Sequence, residues 1–102
     1  MTESGQHLND FRLTARLVNK ETIRYTPAGQ AVLECQLAYS GTVVEAGVER
    51  KVDLNMLAIA IGGEIKTLEH MQIGQSGNFQ GFIAHQSIRR QALVFHITSI
   101  SI

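Results

Sequence analysis

VDLNMLAIAIGGEIKTLEHMQIGQSGNFQGFIAH, residues 52–85, carries a strand, a short helix and a second strand in one continuous run. Val52, Leu54, Met56, Ala58 and Ala60 recur at every second position, with Asp53 and Asn55 between them. That is the period of a strand with one buried face. From Met56 onward the intervening positions, Leu57, Ile59 and Ile61, are apolar as well, so this end is expected to be covered on both sides, by the fold or by a partner chain. Gly62-Gly63 breaks the strand, and the spacing then changes. Ile65, Leu68 and Met71 stand three apart, which predicts a helix over Glu64–Met71. After Gly74 a strand is predicted over Ser76–His85, and its interior Gly77 and Gly81 mark bulges or sharp barrel bends.

The flanks complete the pattern. Phe11, Leu13, Ala15 and Leu17 alternate with Arg12, Thr14 and Arg16 in a first strand. Thr26-Pro27-Ala28-Gly29 is a turn, because Pro27 presets φ and Gly29 tolerates a positive one. A second strand is read from Ala31 to Tyr39, ended by Ser40-Gly41, with a hairpin tip at Glu45-Ala46-Gly47 and the third strand opening near Glu49. Gln86–Gln91 is a polar loop, and a fifth strand covers Ala92–Ile102. Three strands, a helix and two more strands are the order of the all-β OB-fold, a five-stranded barrel with a helix between its third and fourth strands. An SH3-like barrel is the competing architecture, but it leaves the helix without a place. The expected organisation is a flexible tail over residues 1–7 and a single OB-fold domain over residues 8–102.

Composition narrows the function. The chain has 102 residues, 44% of them apolar and 18% charged, a globular balance that argues against disorder. Nine basic residues match nine acidic ones, so any binding of a polyanion has to come from local clustering. Near-zero net charge also favours self-association. A lone cysteine, Cys35, cannot form an internal disulfide and fits a reducing compartment. The polar start, MTESGQHLND, is not a signal peptide, and the longest apolar run falls far short of the ~20 residues of a membrane span. A cytoplasmic protein is the expectation.

No pattern predicts catalysis. His7, His70, His85 and His96 are scattered, and no ligand spacing for a metal exists. Cys35 sits in an apolar alternating row with Leu33 and Leu37 and reads as core. Gly62-Gly63 lacks the Gly-Lys-Ser/Thr of a phosphate loop. A non-enzymatic binding module without cofactor is therefore expected. The remaining signal is basic and aromatic: Arg24 before the turn, Tyr39 at the end of the second strand, Arg50 and Lys51 opening the third, and Arg89 and Arg90 in the loop between strands four and five. An OB-fold binds oligonucleotides across its second and third strands, flanked by the loops joining strands one to two and four to five. There the cations would follow phosphates and Tyr39 would stack a base. Read alone, the same residues serve equally as solubilising charges.

The run LVNKETIRYTPAGQAVLECQLAYSGTVVEAGVER, followed by GFIAH and LVFHI, resembles the primosomal replication protein N (PriB) family of bacterial replication-restart proteins. The likeness extends from about Asn9 to Ile102. It implies a homodimer of OB-folds that binds single-stranded DNA and bridges the restart helicase PriA to the helicase-loader side of the primosome. Family DNA contacts carry over to Arg24 and Arg50. Val48 and Asp53 stand where the family has aromatics on its binding face, and the loop between strands four and five is shorter here and offers Arg89 and Arg90 in place of lysines. Two further functions stay open: a protein–protein adaptor of the restart helicase with little direct DNA binding, and an RNA-binding OB domain.

Overall fold

A computed structural model describes residues 7–102; of the expected tail, residues 1–6 lie outside the described residues. The elements are β1 (Phe11–Lys20), β2 (Arg24–Tyr25), β3 (Ala31–Glu45), β4 (Val48–Ile61), α1 (Ile65–His70), β5 (Ser76–His85) and β6 (Leu93–Ser101). The five strands expected from the sequence are β1, β3, β4, β5 and β6. They run in the order β1-β5-β6-β4-β3, and the pairing of β1 with β3 closes the ring. All pairings are antiparallel except the short parallel match of Ala58, Ile59 and Ala60 on β4 with Phe95, His96 and Ile97 on β6. This closed barrel with its helix between β4 and β5 is the OB-fold.

The alternation read from β1 and β5 persists in the burial. Ala15, Leu17 and Phe79 are buried while Thr14, Arg16, Asn78 and Gln80 face out. The barrel interior is Leu17, Leu33, Cys35, Leu37, Ala58, Ala60, Phe79 and Phe95, with Ile65, Leu68 and Met71 of the helix segment packed into the same core. Phe11 meets Phe95 edge to face at 4.8 Å between centroids. Each fully buried Leu or Phe contributes about 1.5–3 kcal/mol of apolar transfer. Lys20 Nζ donates to the carbonyls of Glu69 (2.6 Å) and Met71 (2.7 Å), which ties the C-terminal end of α1 to β1.

Three features differ from the sequence reading. Arg24 and Tyr25 form a short added strand, opposite Val32 and Ala31. The second strand does not end at Ser40-Gly41: β3 continues to Glu45 and pairs with β4 from Val32↔Ile61 to Glu45↔Val48. Ala46 and Gly47 both take positive φ, 53° and 77°, and such a turn matches the twist of a long two-stranded ladder. Gly41 is accepted in the strand because the Tyr39 ring lies over it, where a Cβ would stand 2.4 Å from the hydroxyl. Beyond Tyr39 and Leu54 the hairpin leaves the barrel as an exposed ribbon. Finally, the two interior glycines of β5 are not equivalent. The ladder with β6 shifts register between Gln80 and Gly81, and nothing comparable occurs at Gly77.

Candidate nucleic-acid interface

The alternation of β3 and β4 sorts the hairpin into two faces. One row continues the barrel core: Cys35, Leu37, Tyr39 and Gly41 opposite Ala58, Met56, Leu54 and Val52. The other row faces outward: Glu34, Gln36, Ala38, Ser40 and Thr42 opposite Ile59, Leu57, Asn55, Asp53 and Lys51. At the barrel end of the outward row lies a groove of about 320 Å³. Leu57, Ile59 and Val94 contribute its apolar lining, and Arg24, Arg90 and His96 are the basic residues along it. The two-sided apolar end of the third strand thus lines an open groove in the protomer: Leu57 and Ile59 are half-buried, and Ile61 is exposed.

Each part of the groove has a local cause. Arg24 is on β2 beside the Thr26–Gly29 turn, where the Gly29 amide donates to the Thr26 carbonyl (2.8 Å). Its guanidinium donates to Glu34 Oε2 at 2.6 Å, the diagonal neighbour across the β2–β3 ladder. Arg90 comes from the β5–β6 loop, which Ser87 folds by accepting the Arg90 amide on its hydroxyl (3.0 Å). His96 is outward on β6 and stacks on Phe82 of β5, with ring centroids 4.7 Å apart and planes 10° from parallel. The Gly81 bulge lets β5 approach β6 this closely, since a Cβ there would lie 1.7 Å from the His96 carbonyl oxygen. Phe82 remains exposed. Burial holds the His96 imidazole below its usual pKa, so at neutral pH it is an uncharged aromatic surface.

The cations and the aromatic singled out from the sequence fall into two groups. Arg24 and Arg90 line the groove, and Arg89 is exposed in the loop next to Arg90. Tyr39, Arg50 and Lys51 are on the hairpin. Register places Arg50 on the face of Tyr39 and Lys51 on the outward face with the groove, about 27 Å from Ile59 at ~3.4 Å per residue. Tyr39 borders a separate hollow with Arg16 and Asp53. Asp53 accepts a hydrogen bond from Ser40 (2.6 Å), and Arg50 is ion-paired with Glu45. Sequence reasoning missed Glu34, Phe82 and the aromatic use of His96. The signal for Phe82 was its outward parity beside Gly81.

No group of three His, Cys, Asp or Glu able to hold a metal ion occurs among the described residues. Burial pushes the Cys35 thiol up to about 12, which leaves it without thiolate character. No helix among the described residues is long and apolar enough to cross a membrane.

Residues 9–99 match the model of a family described as another single-strand binding protein family. The replication restart protein PriB of Bordetella pertussis is 38% identical over 77 residues, which are 76% of this chain and 72% of that one. The PriB of Nitrosomonas europaea is 28% identical over 95 residues, 93% of this chain and 88% of its own. Among solved structures, priB from Ralstonia solanacearum superposes with a TM-score of 0.83 at 36% identity, covering 92% of this chain and 97% of that one. A Plasmodium falciparum SSB in complex with single-stranded DNA shares the fold, with a TM-score of 0.72 at 16% identity.

Proposed function

The chain belongs to the single-strand-binding family, among its PriB replication restart proteins, and from that premise we propose that it binds single-stranded DNA as an accessory factor of replication restart. The observation that carries this reading is the groove on the outward face of β3, β4 and β6. Its apolar lining and the His96 ring can take unstacked bases, with Phe82 stacked on His96 at its edge, and its two arginines can take the phosphates between them. Arg24 and Arg90 hold the backbone in the groove, and Arg89 extends the basic edge. A base stacks on the exposed Phe82 ring, whose other face is taken by His96, and others lie on Leu57 and Ile59. Lys51 continues the track along the hairpin, past Asp53, which repels a phosphate and limits affinity there. Arg50 and Tyr39 act from the opposite face of the hairpin on a strand that wraps its edge.

The same reading includes a cytoplasmic homodimer, without enzymatic activity, that bridges the restart helicase PriA and the helicase-loader side of the primosome. Exposed Ile61 supports a second copy beside β4. The adaptor reading is favoured by a different observation: Val43, Val44 and Val48 are exposed on the hairpin, away from the groove.

Anisotropy titration of labelled oligo-dT separates the two. Phe82→Ala should weaken binding by about 1–3 kcal/mol with the salt slope unchanged, because stacking releases no counterions. Arg90→Ala should weaken all sequences alike and flatten the log–log salt slope by about 0.7. If both variants bind like the parent, or the parent scarcely binds DNA while a helicase pull-down succeeds, the adaptor reading replaces this one. An equal titration with oligo-U tests RNA.

A further inference from the structure

Among the described residues that line the groove, Glu34 is the one carboxylate, set among Arg24, Gln86, Ser87, Arg90 and His96. A negative charge at that position opposes any phosphate that enters. Among the described residues its carboxylate has a single partner, the Arg24 guanidinium at 2.6 Å. Glu34 is not part of the core cluster, and its backbone carbonyl, not its side chain, holds the Glu21 amide (2.9 Å). Arg24 is carried on a strand of only two residues and is itself more than half exposed. We propose that Glu34 is an internal competitor for Arg24: it occupies the guanidinium while the groove is empty and yields it to a nucleic-acid phosphate when the groove fills. This rests on the DNA-binding reading above.

The chemistry is an exchange of one charge-assisted hydrogen bond for another. Arginine presents a fork that fits carboxylate and phosphate alike, so neither state leaves the guanidinium without an acceptor. Arg24 is thereby held extended over the groove before DNA arrives. The exchange also dampens salt dependence. Each phosphate neutralised releases cations from the strand. A Glu34 carboxylate set free takes up cation from solution and offsets part of that release. The same device recurs outside the groove, in the pairing of Arg12 with Asp10 and of Arg50 with Glu45.

The test is a four-way comparison of the full chain, Glu34→Gln, Arg24→Ala and the double variant, titrated against labelled oligo-dT at about 50 and 200 mM salt. Glu34→Gln should bind roughly two- to fivefold tighter, the range of an exposed ion pair, with a salt slope steeper by up to about 0.7. In the Arg24→Ala background the same change should bring a clearly smaller gain, because only general repulsion is then removed and the competitor has nothing to compete for. Glu34→Asp, whose carboxylate stops one methylene short, should shift binding in the same direction as Glu34→Gln, and a thermal melt of each variant confirms that the barrel is intact. Gain that persists undiminished without Arg24 overturns the proposal, since Glu34 would then act only by general repulsion. So does a folded Glu34→Gln that binds no tighter than a binding parent, which leaves the DNA reading standing. If neither parent nor Glu34→Gln binds DNA, the DNA reading fails and the competitor with it.

Discussion

Gly81→Ala is the substitution whose effect the geometry specifies most sharply. The new Cβ would sit 1.7 Å from the carbonyl oxygen of His96, 2.8 Å from its carbon and 3.1 Å from Phe95 Cε1. A carbon and a carbonyl oxygen approach no nearer than about 3.3 Å, so β5 and β6 must separate by about 1.6 Å at the bulge. Both neighbours are backbone or buried ring, and neither can rotate away. The separation breaks ladder hydrogen bonds at about 1 kcal/mol each and loosens Phe95, which is fully buried. A total of at least ~3 kcal/mol follows, or a fall in Tm of about 12 °C or more for a domain of this size. Gly77→Ala on the same strand is the control. Its Cβ would meet Met71 and Phe79 at 3.5 Å, an ordinary contact, and neither glycine has positive φ. That variant should stay within about 1 kcal/mol of the parent, helped by the lower entropy of its unfolded chain. Thermal and urea unfolding followed by circular dichroism would decide. Equal midpoints for the two variants would refute the argument that Gly81 is required by close backbone approach.

Two further outcomes follow from named contacts. Lys20→Met keeps the aliphatic stem but leaves the Glu69 and Met71 carbonyls without their ammonium partner; a loss of about 1–2 kcal/mol in urea unfolding is expected, and Lys20→Arg should recover part of it. Burial lowers the His96 pKa from 6.5, so the unfolded chain binds the proton more readily. Its contribution to stability is therefore complete above pH 6.5 and declines as pH falls through the folded value. Melts at about pH 7.5 and 5.5 should show a smaller acid-side drop for His96→Phe than for the parent.

The sequence was most legible where one face is buried and the other wet. β1, β4 and β5 show this alternation plainly, and α1 announces itself through the change of spacing at Ile65, Leu68 and Met71. It was least legible where long-range register decides the outcome. Ser40-Gly41 has the composition of a strand end, yet the ladder runs through it, because Tyr39 covers the glycine and the Ala46-Gly47 turn continues the twist. Arg24 reads as a free cation until the β2–β3 register brings Glu34 diagonally beside it. Phe82 and His96 lie fourteen residues apart in sequence, and only the bulge at Gly81 stacks them. Charges could be counted in advance; which charge already had a partner could not.

The extent of the β3–β4 ladder has a consequence for how the molecule opens. The rungs from Gly41↔Val52 to Glu45↔Val48 join residues close in sequence and, among the described residues, are backed by no other strand. The rungs at Ala58, Ile59 and Ala60 also carry β6, and with it the closure of the barrel. Amides at the hairpin end can therefore exchange with solvent through local fraying, while those of Ala58 and Ala60 await opening of the whole barrel. The same division orders refolding. The hairpin forms from neighbours in the chain, whereas joining β1 to β5 brings Thr14 to Asn78 across 64 residues, so that pairing is expected to form later.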